Sequence, residues 1–427
     1  MAISSPKVLA GTPKPSSLDG LGRRLVLDRL RSLSRGRLVI SDQGETREFG
    51  QSADLAERTV QLTVHDRRFF GDIAFGGSLG AGESYMQGHW SCDDLTGLIQ
   101  LLLQNRHVIE NMEGGLARLT APLQKAFHWV NRNTRNGSRR NIAAHYDLGN
   151  DFFRLWLDPT MMYSSAVFER PDATLHQASV AKLDRICRKL DLKPTDHVVE
   201  IGTGWGGFAL HAAANYGCEV TTTTISREQF ELASQRVAEA GLSHRIHLLL
   251  EDYRDLEGRY DKLVSIEMIE AVGHQYLDTY FEQCGRLLKD DGAMLLQAIT
   301  IQDQRYTKAL KTIDFIKRYI FPGSFIPSVS AIGDSVARST DMKFFHLEDI
   351  GPHYATTLRH WRERFFARIE DVRAQGYPEE FIRMWEYYLC YCEGGFLERA
   401  IGDVQVLLTK PGCRRDPIVP ALASLRE

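Results

Sequence analysis

Residues 200–207 read Glu-Ile-Gly-Thr-Gly-Trp-Gly-Gly and follow the apolar pair Val198-Val199. Glycines at this spacing let the backbone turn sharply out of a strand and approach a ligand closely, with a helix N-terminus behind them. Gly202, Gly204 and Gly207 fit a dinucleotide fingerprint as well as a cradle for S-adenosylmethionine (SAM); a purely structural turn is a third reading. The placement of acids separates the first two. A dinucleotide site wants an acid closing the second strand, where this chain has Thr-Thr-Thr-Thr-Ile-Ser (221–226). Glu200, two residues before the first glycine, and the stretch LLLEDYRD (248–255) after the third strand favour SAM instead.

These groups need a scaffold, and the sequence around them supplies one. Apolar runs at 197–201, 218–224, 245–250, 261–266 and 292–299 read as strands, with helical stretches at 206–216, 226–241 and 276–288 between them. Apolar strands alternating with helices predict an α/β fold with a doubly wound, mostly parallel sheet. Upstream, residues 37–64 read as short strands joined by turns, and glycines at 76, 77, 80, 82 and 88 predict a tight, loop-rich passage. The segment from Asp93 to Met112 reads as a helix. The tail beyond about residue 300 is aromatic-rich and without a clear period.

The chain has 427 residues, enough for two domains, and 52 Lys and Arg against 55 Asp and Glu. A net charge of −3 argues against a dedicated nucleic-acid binder. No run of ~20 apolar residues marks a membrane span, and the first residues lack the apolar core of a secretory signal. Seven scattered cysteines without a Cys-x-x-Cys pair read as reduced thiols of a cytoplasmic protein and supply no metal site. The expected organisation is a disordered 1–17, a smaller α+β domain at 18–130, a basic linker at 131–140 and the α/β domain at 141–427. Leu21, Leu25, Val26, Leu30 and Leu33 lie near helical spacing among Arg23, Arg24, Arg29 and Arg31. Such a helix either packs its leucines on its own domain or lies on an anionic membrane surface.

Several stretches together resemble the cyclopropane fatty acid synthase family, including the mycolic acid cyclopropane synthases. They are AAHYDLGNDFF (143–153), DPTMMYSSAVF (158–168), VVEIGTGWGG (198–207), TTTTISREQ (221–229), LEDYRD (250–255), SIEMIEAVGH (265–274), YIFPGSFIPS (319–328) and PHYATTL (352–358). GESYMQGHW (82–90) resembles the amino-terminal domain of full-length bacterial members. The resemblance implies a Rossmann-like SAM-dependent methyltransferase domain, and an amino-terminal domain that helps dock lipid. It implies transfer of a methyl or methylene group to unsaturated acyl chains of membrane phospholipids. It also implies a homodimer, peripheral at the inner face of the membrane.

Carried over position by position, Tyr163 and Ser164 would touch the amino-acid moiety of SAM, and Gly202 and Gly204 would cradle it. Thr224, Ile225 and Gln229 would meet the ribose side, and Asp252 and Tyr253 the adenine. The triplet His145-Tyr146-Asp147 would form part of the wall and lid over it. Phe152, Phe153, Tyr163, Phe168, Tyr319, Phe321, Phe325 and Tyr354 would supply the π-faces that a cationic acyl intermediate needs in a dry pocket.

In the family, proton removal resembles the work of a bound bicarbonate held by a Cys, a Glu, a His and a Tyr. Glu270 and Tyr354 match. The Cys position is Ser165 and the His position is Gln297, while Glu267 stands where Gly is common and Ala271 where His is common. Gln donates hydrogen bonds but carries no charge and relays no proton. Glu267, pointing inward, would disfavour a bound anion and itself offer a base; a solvated or salt-bridged Glu at a strand end is the other reading. Three outcomes follow: a cyclopropane product, an open-chain methyl-branched product, or a lipid-binding homologue without turnover.

Overall fold

The computed structural model describes residues 17–50, 58–108 and 149–418. The 131–140 linker, the triplet at 145–147 and nearly all of the amino-terminal tail expected at 1–17 lie outside these residues. The chain divides into two compact units. Of the described residues, 17–94 and 104–108 belong to the first, and 95–103 and 149–418 to the second.

The first unit is α+β. Strands β1 (Arg37–Asp42), β2 (Glu45–Phe49), β3 (Thr59–Val64) and β4 (Trp90–Cys92) form a sheet in the order β2-β1-β3-β4. Strict alternation in β1 and β3 buries Leu38, Ile40, Val60, Leu62 and Val64 on one face. The helix Ser17–Leu30 buries Val26, Leu27 and Leu30 and leaves Leu21 exposed. Its Arg23 pairs with the buried Asp42 at 2.8 Å and with Glu45 at 2.9 Å, so this arginine is committed to its own domain.

The glycine-rich passage is a turn only at Gly88 (φ 75°), after a helix that holds the other four glycines. Residues Arg68–Met86 are helical, interrupted at Gly77 (φ 61°, ψ −142°). That backbone conformation is open essentially to glycine alone. At Gly80 a Cβ would stand 2.0 Å from the carbonyl oxygen of Asp72, so glycine there permits close backbone packing. Gly77 and Gly80 thus kink and pack a helix where sequence reading predicts turns.

In the second unit, strands β5 (His197–Ile201), β6 (Glu219–Thr223), β7 (Ile246–Leu249), β8 (Tyr260–Ile266), β9 (Leu288–Ile301), β10 (Lys343–Asp349) and β11 (Ile401–Thr409) form one sheet. Its order is β10-β11-β9-β8-β5-β6-β7. Neighbours from β7 to β9 are parallel, and β11 runs antiparallel to both β9 and β10. Both faces are buried, as a parallel sheet covered by helices requires. Val199, Leu263, Met294, Leu296 and Val406 pack on one side with the helices Leu277–Leu287 and Val329–Ser339. Val198, Val264, Leu295 and Leu407 pack on the other with Leu175–Leu190 and Gly207–Tyr216.

Local signals set the helix starts. Thr174 and Gln177 form a reciprocal capping box, and the Ser226 and Ser328 hydroxyls each accept from the backbone N–H three residues on. The helix Leu95–Gln104, expected within the amino-terminal domain, sets Thr96 and Gln100 against Glu393 (3.3 Å) and Glu398 (2.8 Å) of the second unit. No helix among the described residues is long and apolar enough to cross a membrane.

Candidate active site

Strand order reverses between β5 and β8, and at such a switch point the carboxyl ends of parallel strands open a crevice. The glycine turn leaves β5 there. Gly202 (φ 101°), Gly204 (φ 51°) and Gly206 (φ 83°) all adopt the left-handed region. The N–H groups of Gly202 and Thr203 both donate to the Thr223 carbonyl, at 3.1 and 3.0 Å, tying the turn to the end of β6. A Cβ built at Gly204 meets no atom of the described residues within 4 Å, so the backbone leaves room on that side among them. Beneath the turn, Glu200 is buried and accepts from Thr222 Oγ1 at 2.6 Å, and Thr222 in turn meets Thr203 Oγ1 at 2.7 Å. Burial raises the Glu200 carboxyl to about 8.

At the end of β6, Thr224 Oγ1 donates to Gln229 Oε1 at 2.8 Å, and both residues are buried; Ile225 lies between Thr224 and the Ser226 cap. After β7, Asp252 is buried and holds Arg254 through both carboxylate oxygens, at 2.8 and 2.6 Å. Arg254 lies over the Tyr253 ring at 5.5 Å. An open glycine cradle, a threonine–glutamine pair beyond β6 and an Asp-Tyr pair beyond β7 form a donor and acceptor set that suits the amino-acid, ribose and adenine parts of SAM.

The segment before the first α/β unit carries Tyr163, Ser164 and Ser165. Tyr163 Oη lies 2.9 Å from Tyr388 Oη, and its ring packs among Phe153, Trp156, Trp361 and Phe321 at centroid distances of 5.3–6.2 Å. Tyr354 joins this group through Trp361 at 6.0 Å. Phe152 backs the same group through Phe153 at 5.5 Å and Trp156 at 6.1 Å. The rest of the expected aromatic ensemble goes elsewhere: Phe325 belongs to the sheet core, Phe168 stacks on His360 at 5.3 Å and Tyr319 packs on Phe315 at 5.2 Å.

The polar centre is built around Glu267, one residue beyond β8. Its Oε1 accepts from the backbone N–H of Ser165 and from Gln297 Nε2, each at 2.8 Å. Its Oε2 accepts from Tyr354 Oη at 2.7 Å. Three of the four residues that the resemblance implies for holding an anion therefore converge on a carboxylate of the chain itself. Glu267 has φ 49°, a conformation that favours glycine and costs other residues ~1 kcal/mol. A glycine at this position needs no strain, whereas a glutamate does, and here its carboxylate gains three donors.

Glu270 stands apart from that cluster in its hydrogen bonding. Its Oε1 accepts from the Ile299 N–H at 2.6 Å, and its Oε2 is buried without a hydrogen-bond partner among the described residues. Burial and the neighbouring Glu267 charge push its carboxyl up to about 8. Asp403 on β11 is fully buried and accepts from Gln297 Nε2 at 3.1 Å. Burial and the two glutamates hold Asp403 well above the carboxylate range. Burial raises Glu267 as well, but its three hydrogen bonds and the Lys182 charge oppose that rise. Glu267 keeps some accessible surface while lying deep enough to feel burial. Three donors aim at Glu267 and one at Asp403, so of this pair Glu267 is the better placed to carry a negative charge.

Lys182 is fully buried, donates to Ser164 Oγ at 2.8 Å, and is pushed down to about 8 by burial against the pull of the surrounding carboxylates. Lys182 and Asp403 are not among the site residues expected from sequence. Both were signalled by pattern. Lys182 lies four residues after Ala178 and four before Ile186, on the buried stripe of its helix. Asp403 and Gln405 interrupt an otherwise apolar strand on one face.

A family model described as Mycolic acid cyclopropane synthetase matches residues 133–406. The chain is 40% identical over 345 residues to the tuberculostearic acid methyltransferase UfaA1 of Mycobacterium tuberculosis, covering 79% of this chain and 80% of that protein. It is 39% identical over 358 residues to the cyclopropane-fatty-acyl-phospholipid synthase of Escherichia coli, covering 82% and 88%. Among solved structures, the cyclopropane synthase MmaA2 from Mycobacterium tuberculosis aligns with a TM-score of 0.59 at 31% identity, covering 64% of this chain and 98% of that one. The mycolic acid cyclopropane synthase CmaA1 complexed with SAH and CTAB aligns with a TM-score of 0.60 at 33% identity, with the same coverage. With more than half of its length matched by the family model, the chain belongs to the mycolic acid cyclopropane synthetase family and is a SAM-dependent methyltransferase.

Proposed function

We propose that this enzyme adds a one-carbon unit to the cis double bond of an unsaturated phospholipid acyl chain, with the Glu267 carboxylate as the base. The observation that carries this reading is the convergence of the Ser165 N–H, Gln297 Nε2 and Tyr354 Oη on Glu267. The phospholipid acceptor is supported by the relationship to the Escherichia coli synthase. Tyr163, Ser164, Gly202, Gly204, Thr224, Ile225, Gln229, Asp252 and Tyr253 hold SAM in this reading. When bound, SAM supplies an electrophilic methyl group.

An alkene is a weak nucleophile, so the protein must hold it in line and dry. The Tyr163, Phe153, Trp361 and Phe321 rings provide an apolar wall whose π-faces stabilise a cation on the acyl chain. Glu267 then accepts the proton that the cation loses, and the electron pair of that C–H bond closes the ring. Three donors keep Glu267 oriented and favour its ionised form before this step. Glu270 and Asp403, held neutral by burial and by Glu267, add no second negative charge that would drive its proton affinity out of range. This assigns proton removal to a residue of the chain in place of a bound bicarbonate.

Mass spectrometry of fatty acids tests both the reaction and its product, after incubation with methyl-deuterated SAM and vesicles of a cis-monounsaturated phospholipid. The expected product carries two deuteriums in a saturated ring. A product that keeps a double bond and bears the added carbon as a branch would assign the lost proton to a chain carbon. Absence of any mass gain with SAM bound would overturn the proposal.

A further inference from the structure

The site's hydrogen bonds do not stop at Gln297. Gln297 on β9 and Gln405 on β11 are directly opposite one another in the antiparallel pairing, and both are fully buried. Gln405 Nε2 donates to Gln297 Oε1 at 3.1 Å. Lys189, buried on the helix Leu175–Leu190, donates to Gln405 Oε1 at 2.8 Å and to Glu348 Oε2 at 2.6 Å. Arg185 holds the same Glu348 carboxylate, through Nε at 2.7 Å. One chain of contacts therefore runs Glu348–Lys189–Gln405–Gln297–Glu267–Tyr354, from the partly exposed Glu348 through the sheet to the base.

This chain has a direction. A primary amide presents an acceptor at one end and donors at the other, and the two ends have nearly the same shape. An ammonium group has donors only. Facing Lys189, Gln405 must turn its oxygen toward the lysine and its NH2 toward Gln297. Gln297 must then present its oxygen to Gln405 and its NH2 to Glu267 and Asp403. We propose that Lys189 is a positioning residue for the reaction, fixing the direction of this amide chain so that Gln297 always offers N–H, never C=O, to Glu267. The inference rests on Glu267 being the base.

The consequence appears when Glu267 takes up a proton. A carboxylic acid could donate to an inverted Gln297, whose oxygen would then stabilise the protonated form. Lys189 opposes that inversion from the far end and so keeps Glu267 in the form that removes protons. Around Glu267 the other titratable groups are Tyr354, Glu270, Asp403 and Lys182; around Lys189 they are Glu348, Arg185, His346 and Arg415, whose guanidinium donates to the Lys189 carbonyl.

The test compares pH profiles of kcat on cis-monounsaturated phospholipid vesicles, with SAM affinity and thermal melting measured alongside. Gln405→Leu keeps the Lys189 charge but cuts the chain, and Lys189→Met removes its origin. Both are expected to move the acid limb up by about one pH unit, slowing turnover on that limb about ten-fold, with SAM affinity unchanged. Lys189→Arg restores the wild-type profile. Glu348→Gln, which disturbs the ion pair but not the amides, leaves the profile in place. A wild-type profile in Gln405→Leu, or an equal shift in Glu348→Gln, overturns the inference. Full activity in Glu267→Gln overturns the underlying assignment of the base, and is read separately.

Discussion

Glu267 and Gln297 are linked twice: the backbone N–H of Glu267 donates to the Gln297 carbonyl at 2.8 Å, and Gln297 Nε2 donates back to Glu267 Oε1 at 2.8 Å. The first bond extends the register of β8 on β9 by one residue, past Ile266 opposite Gln297. The second uses that register to place a side-chain donor on the carboxylate. The carboxylate proposed as the base is therefore set by the sheet.

Replacing Glu267 by Gln keeps the shape of the side chain and removes its basicity. Turnover is expected to fall by about 10²–10⁴-fold, the usual contribution of a positioned general base. SAM affinity should stay within about three-fold of wild type, because the contacts proposed for SAM lie on other residues. Isothermal titration with SAM and single-turnover rates on phospholipid vesicles separate the two effects.

Glu267→Gly makes a sharper test. It relieves the backbone at φ 49° and frees the Ser165 N–H, Gln297 Nε2 and Tyr354 Oη for another anion. The variant should be almost inactive in bicarbonate-free buffer and regain turnover as bicarbonate is added, while the wild-type rate stays flat over the same range. Initial rates across a bicarbonate titration check this.

Much of this site is legible in the sequence because its signals are local. The glycine turn, the four threonines ending β6 and the strand runs at 197–201 and 261–266 each follow from short-range patterns, and the sheet brings them together at the switch point. What the sequence does not reveal is long-range pairing. That Asp403 and Gln405 lie beside Gln297 depends on β11 inserting antiparallel between β9 and β10, far from either motif in sequence. The glycine-rich stretch at 76–88 misleads for the opposite reason: glycine marks both turns and tight helix packing, and only the approach of Gly80 to Asp72 distinguishes them. Sequence leaves Arg23 on either a membrane-facing or a domain-packed helix, and the buried Asp42 beside it ties this side chain to its own domain.

The buried acids give stability a pH dependence of unusual sign. Glu200 and Glu270 have carboxyls raised to about 8 in the folded chain, against 4.5 for an ordinary glutamate. Between those values the folded state holds protons that the unfolded state has lost, so stability falls as pH rises. This contribution is complete below about pH 4.5 and is lost as pH passes through about 8. Glu200→Gln keeps an acceptor for Thr222 and removes one titration. Between pH 6 and 8 the wild type should lose more stability than the variant, by on the order of 1–2 kcal/mol. Urea unfolding at several pH values measures the difference, and parallel slopes would contradict it.

Gly204→Ala isolates the cradle from the fold. A Cβ there meets no atom of the described residues, so the expected cost to folding is that of φ 51°, about 1 kcal/mol. The same Cβ projects into the space where the backbone is proposed to approach SAM. Affinity for SAM should therefore fall at least ten-fold while the melting temperature drops by only a few degrees. Gly202→Ala differs, because its Cβ would press on Met268 at 3.2–3.3 Å and its φ of 101° is harder for alanine to adopt. That variant should lose stability as well as affinity. If Gly204→Ala instead bound SAM as wild type does, the turn would be structural and the cradle would have to lie elsewhere along the crevice.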